Sequence, residues 1–183
     1  KKWVLALEMN LKGGCRVKYR DFNALFQYPS NATRRFILDM NSTNKFFLEF
    51  KKFVGESTIE DLQEKYTHTF DMNPSTSLDL GWHLYGEAYE RGAFLVKLRG
   101  FLSESKTKES SELPDHITHI FKVMDNLDKS DQDGFLNEYI VPALKKIING
   151  FDGSDNPYEL TIKFILSEIN NGHECMENKN GNL

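Results

Sequence analysis

Cysteine is almost absent: Cys15 and Cys175 are the only two in 183 residues. They lie far apart and outside any C-x-x-C spacing, which excludes a disulfide framework and a zinc site and fits a reducing, cytoplasmic setting. Long apolar runs are missing too. No stretch approaches the roughly 18 residues that span a bilayer, and Lys1-Lys2 followed by Trp3 to Leu7 is too short for a secretory signal. Neither export nor stable membrane insertion is expected. An excess of basic charge is also lacking: 23 Lys and Arg against 27 Asp and Glu leave a net charge of −4. A nucleic-acid binder needs a basic surface to meet phosphate, so nucleic acid is excluded as a partner. No segment shows sustained two-residue alternation with β-branched enrichment, which argues against strands. No glycine-rich phosphate loop follows a strand, and no serine stands in a nucleophile elbow. The chain reads as a non-enzyme with no cofactor of its own.

What is present is a core. Hydrophobic residues make up 39% and charged residues 27%, a balance that fits a globular chain and neither a disordered tail nor a membrane protein. The length suits one domain. We divide it into an unplaced segment over 1–15, an all-helical domain over 16–171 and a tail over 172–183 expected to be disordered.

Apolar spacing predicts helices throughout. Val17, Phe22, Leu25 and Phe26 mark the first, ending before Tyr28-Pro29. Ser30 caps the next, and Asn41-Ser42-Thr43-Asn44 reads as a turn before Phe46, Phe47, Phe50 and Phe53. Ser57-Thr58-Ile59-Glu60 has the capping-box pattern. Leu78 to Leu102 reads as one long central helix, apolar on more than one side and expected in the middle of a bundle. Its four glycines, Gly81, Gly86, Gly92 and Gly100, imply close approach of another helix or of a ligand peptide. Within it, Glu87 and Arg91 are spaced for an ion pair, either structural or offered to a bound peptide. An exposed linker over Ser103 to Ser111 follows, and its polar sequence leaves room for an exchanged-helix dimer; a monomer or weak dimer is expected. Ile117, Ile120, Phe121 and Met124 mark a further helix. Another runs from Leu136 to Ile148, where Pro142 must kink it or occupy its first turn. The last starts at Asn156-Pro157 and stops at Gly172.

Two clusters look like ligand sites. Asp125 to Gly134 is as rich in carboxylates as a calcium loop, but the alignment puts Lys129 first and Ile140 twelfth, so the cage cannot close. It reads as a solvated turn. His116 and His119, three apart beside Glu112 and Asp115, could hold a metal, which makes a metal-dependent helical hydrolase using Glu112, His116 and His119 the alternative function.

Tyr66-Thr67-His68-Thr69-Phe70-Asp71-Met72, then Ser77-Leu78, His83-Leu84-Tyr85-Gly86-Glu87 and Arg91-Gly92, resembles the central signature of the nitrate reductase delta-subunit chaperones, the NarJ type. Glu112-Leu113-Pro114-Asp115-His116-Ile117 resembles a second signature, shared with the wider TorD and DmsD group of redox-enzyme maturation chaperones. Leu25-Phe26-Gln27-Tyr28-Pro29 is similar to the start of that family's first helix. The resemblance implies an all-α, single-domain bundle that binds the N-terminal leader of a molybdoenzyme catalytic subunit and holds it until the molybdenum cofactor is inserted. By position, it implies that Glu112, Pro114, Asp115 and His116 line a hinge and groove, faced by His83, Tyr85, Glu87 and Arg91. Trp82, Tyr85 and Tyr89 would supply apolar contact. Arginines of a twin-arginine leader would meet Glu87, Glu112 and Asp115 through charge-assisted hydrogen bonds, and His116, titrating near neutral pH, would tune release.

Overall fold

The computed structural model describes residues 19–108 and 110–177. The segment 1–15, Val17 and residues 178–183 of the tail lie outside the described residues. The helices are α1 (Tyr19–Asn23), α2 (Asn31–Asp39), α3 (Lys45–Glu56) and α4 (Ile59–Tyr66), which runs into a π turn, Thr67–Asp71. Then come α5 (Leu80–Tyr85), α6 (Tyr89–Glu104), α7 (Ile117–Met124) and α8 (Lys129–Phe135), which continues through a second π turn, Leu136–Ile140, into α9 (Val141–Gly150). The last is α10 (Pro157–Glu177). Among the described residues there is no strand, and the expected all-α class holds.

Local chemistry sets the boundaries. Ser30 caps α2, its hydroxyl accepting from the Thr33 N–H, and Asn44 caps α3 by accepting from the Phe46 N–H at 3.0 Å. The expected capping box sits one residue later than the spacing suggested. Thr58 is the cap, and Asp61 returns the bond to the Thr58 N–H at 3.1 Å. Ser57 instead closes the helix before it, its hydroxyl donating to the Phe53 carbonyl at 2.8 Å. The acidic stretch is a turn only as far as Asp128, which caps α8 by accepting from the Asp131 N–H at 3.0 Å; Lys129 to Gly134 are helical. Pro142 lies in the first turn of α9. Having no N–H to bond the carbonyl four residues back, it is accommodated by the π turn just ahead of it. At the far end α10 runs past Gly172 to Glu177, so the predicted stop at that glycine is not used.

Two aromatic clusters form the core. The first joins Phe22 of α1, Phe47 of α3, Phe121 of α7 and Phe164 of α10, and extends through Phe26 to Phe70, Tyr66 and Tyr158. The second joins Phe94 and Phe101 of α6 to Phe135 and Tyr139. Each fully buried phenylalanine contributes about 1.5–3 kcal/mol relative to exposure, so these rings dominate the hydrophobic stabilisation.

The long central helix is not one helix. Gly86 takes φ 59° and ψ −130°, a conformation open only to glycine, and ends α5 with its N–H on the Trp82 carbonyl at 2.8 Å. Nor is α6 central: Tyr89 is 90% and Val96 70% exposed on its outer face. A Cβ at Gly92 or Gly100 would meet nothing within 4 Å. One at Gly81 would fall 2.5 Å from Asp115 Oδ2 and 3.1 Å from Phe94. Close approach therefore explains one of the four glycines and backbone conformation a second. Urea denaturation should separate them. Gly92→Ala and Gly100→Ala should be neutral or gain up to about 1 kcal/mol, whereas Gly81→Ala should lose about 1–3 kcal/mol through overpacking. Equal effects at the three positions would contradict this division.

Candidate functional site

The two sequence signatures meet at one junction. Leu78 to Leu80 and Asp115 to Ile117 lie side by side: the Leu80 N–H donates to the Asp115 carbonyl and the Ile117 N–H to the Leu78 carbonyl, both at 2.9 Å. Leu78, Leu80 and Ile117 go into the core, at most 3% exposed, which holds the pairing in register. Asp79 and Asp115 are thereby brought close together at the foot of α6.

Arg91 answers both. Its Nε donates to Asp115 Oδ2 at 3.1 Å and its NH2 group contacts Asp79 Oδ2 at 3.3 Å, while its guanidinium lies 5.8 Å from the Trp82 ring centroid. The expected Glu87–Arg91 pair is not formed. The chain turns at Gly86, so Glu87 is not on the same helical face as Arg91; it stands exposed in the turn. Asp115 is fully buried, and among the described residues its Oδ1 has no hydrogen-bond partner. Burial, with the charge of Asp115 adding to it, pushes Asp79 up to about 6 against the pull of Arg91.

The other expected site residues divide by exposure. Pro114, Asp115 and His116 face inward, and Arg91 is largely buried. His83 and Tyr85 are half-buried: the His83 ring hydrogen-bonds the Ser77 carbonyl at 2.8 Å, and the Tyr85 ring packs on Phe94. Lys146 of α9 caps α5 by donating to the His83 carbonyl at 2.7 Å, satisfying an orphan helix carbonyl. Glu87 and Glu112 are exposed. The break at Gly86 separates Tyr89 from Trp82 and Tyr85.

The histidines are structural in their bonding. His116 caps α7, its Nδ1 accepting from Thr118, and burial, followed by the charges of His119 and Lys122, pushes it down to about 4. It is neutral near neutral pH, which overturns the expectation that it titrates there. His119 is fully buried; its Nε2 accepts from the Ser110 N–H at 3.0 Å, leaving Nδ1–H to donate to the Leu113 carbonyl at 2.9 Å. It clamps the linker onto α7. With its ring nitrogens so engaged it has none to spare for a metal, and among the described residues no group of three or more His, Cys, Asp or Glu is placed to hold one. Sequence reasoning missed Asp79, which lies twelve residues from Arg91 and shares no helical period with it. Its only visible signal was its place between Leu78 and His83, inside the matched signature.

The first signature does comparable work. The π turn turns Thr69 inward, where its hydroxyl donates to the Lys65 carbonyl at 2.6 Å and accepts from Asn156 at 2.8 Å, while its carbonyl accepts from Thr76. It ties α4, the loop before α5 and the start of α10 together.

A multi-helix domain built on this junction defines a class of helical proteins with no strand among the described residues and no helix there long and apolar enough to cross a membrane. The family model of the nitrate reductase delta subunit matches residues 39–158, and the chain belongs to that family. It is 28% identical over 111 residues to the nitrate reductase molybdenum cofactor assembly chaperone NarJ of Escherichia coli K12, and equally to that of strain O157:H7. Those matches cover 60% of this chain and 47% of each relative, so the chain spans about half the length of the curated relatives it matches. A solved structure from Archaeoglobus fulgidus, described as a redox enzyme maturation protein, superposes with a TM-score of 0.64 at 16% identity, over 88% of this chain and 98% of that one. That likeness is one of fold.

Two predictions follow from the charges. Asp115→Ala leaves Arg91 short of its buried partner and should cost about 3–5 kcal/mol in urea denaturation; a loss under 1 kcal/mol would show the pair to be dispensable. The pH dependence has two opposing limbs. His116 lies below its ordinary 6.5, so its contribution is complete above that value and is lost as pH falls towards about 4. Asp79 lies above its ordinary 3.8, so its contribution is complete below that value and is lost as pH rises through about 6. His116→Asn, which keeps a capping oxygen, should flatten the acid limb, and Asp79→Asn should steepen it. Urea midpoints compared between about pH 4.5 and 7 read both; parallel profiles for the two variants would refute the assignment.

Proposed function

We propose that this protein is a cytoplasmic, non-catalytic chaperone that binds the N-terminal segment of a molybdoenzyme catalytic subunit and assists cofactor insertion before export or membrane docking. Family membership supports the reading, as do relatives named as molybdenum cofactor assembly chaperones. The observation that carries it is the junction itself: both family-like signatures converge on Asp79, Arg91 and Asp115. In this reading Pro114, Asp115, His116 and Arg91 are the frame. They set where Glu87 and Glu112 stand, and these exposed carboxylates, with half-buried His83 and Tyr85, meet the client.

Exposed carboxylates suit such a client because charge-assisted bonds to leader arginines are strong yet reversible. A segment that orders on binding costs about 2–5 kcal/mol, so a few fixed contacts on a rigid frame favour capture and release over permanent attachment. The hydrolase alternative draws no support from the geometry, since His116 and His119 hold protein partners and Glu112 faces solvent.

Isothermal titration with a synthetic peptide from the start of a molybdoenzyme catalytic subunit should give micromolar affinity, about −8 kcal/mol. Glu87→Lys with Glu112→Lys should weaken it severalfold in a protein that still folds. No heat with any such leader would remove the chaperone reading.

A further inference from the structure

A groove of about 790 Å³ is lined by none of the junction residues. One wall is the α3 face of Glu49, Lys52, Phe53 and Glu56, and the other is Asp61, Glu64 and Lys65 of α4 with His68 of the π turn that follows it. Both sets step by three and four residues, so each is a single helical face. The first turn of α10 and the loop before it close the base with half-buried Pro157 and Leu160, which join Phe53 as an apolar floor.

The rim is strongly one-signed. Six carboxylates line the groove against two lysines, an excess of four negative charges among these side chains, as many as the net charge of the whole chain. The groove therefore holds a concentration of charge that the rest of the chain balances. Among the described residues, Glu49 and Asp155 make no ion pair, and Lys52 meets Glu56 only at 4.0 Å with both side chains mostly exposed. Glu159 meets Lys163 at 2.9 Å, Glu64 lies 3.8 Å from His68 and Asp61 holds the Thr58 cap, which leaves Glu49 and Asp155 as the rim carboxylates most open to an incoming cation.

We propose that the groove between α3, α4 and the start of α10 is a docking surface for a cationic amphipathic segment of a partner protein. Its apolar side chains lie on Phe53, Pro157 and Leu160, and its lysines or arginines meet the rim carboxylates. The wall from Asp61 of α4 to His68 of the π turn is roughly 10 Å long at 1.5 Å per residue, room for about two turns of a docked helix. The inference rests on the chaperone reading only for the identity of the partner, the client. The surface is separate from the Glu87 and Glu112 contacts.

The test is fluorescence anisotropy on the full chain with a labelled peptide of about twelve residues, roughly three helical turns, carrying lysines on one face and leucines on the other. Glu49→Lys with Asp155→Lys should weaken binding about tenfold. Glu104→Lys with Glu138→Lys makes the same charge change at exposed positions off the groove and should change it less than about twofold. Exchanging the peptide's leucines for serine should abolish binding. Equal weakening by the two variants means attraction to an acidic protein in general and overturns the proposal, as does binding that ignores the leucines. A client leader peptide is then titrated against the same proteins. If wild type and groove variant bind the leader and the lysine–leucine peptide equally well, the groove is refuted and the chaperone reading stands. If the wild type takes the lysine–leucine peptide at the groove but no leader, the chaperone reading falls and the docking surface remains.

Discussion

Arg91 between Asp79 and Asp115 is the interaction on which the arrangement of this half of the molecule rests. A buried carboxylate without a cation costs several kcal/mol, so Asp115 can occupy a fully buried site only if α6 brings Arg91 to it. That requires the chain to turn at Gly86, Gly81 to stay without a side chain, and the linker to return alongside Leu78 to Leu80. Each feature has its own local reason. The ion pair is what makes them depend on one another.

A division of labour follows from that dependence. The residues that give the chain its family likeness are mostly internal: Thr69 and Tyr66 in one motif, Pro114, Asp115 and His116 in the other. They fix the relative positions of α4, α5, α6 and α7, while exposed carboxylates beside them, and the acidic groove between α3, α4 and the start of α10, are left to meet solvent or a partner. Contact residues held on a rigid frame need little reorganisation to engage a partner.

Much of this was legible. The helical class followed from apolar spacing, and Ser30, the turn over Asn41 to Asn44 and Asn156-Pro157 marked where helices begin, because capping and turn chemistry are local properties of a few side chains. Other readings failed for equally physical reasons. Leu78 to Leu102 looked continuous because hydrophobic periodicity carries through a glycine whose positive φ the spacing does not reveal. Glu87 and Arg91 looked paired because helical spacing was assumed across that break. His116 looked titratable because an ordinary imidazole changes charge near neutral pH, whereas its spatial neighbours bury it. The groove was invisible for the same reason, since its walls come from α3, α4 and α10, more than a hundred residues apart in sequence for Glu49 and Asp155.

By itself the amino-acid order determined the all-helical class, most helix starts and the two motifs that carry the family likeness, because those depend on residues within a few positions of one another. Only the tertiary structure decided which carboxylates are buried partners of Arg91, which face solvent, and where negative charge gathers into a cleft. Burial and charge pairing are set by distances between segments that the chain order leaves free, and packing alone brings those segments together.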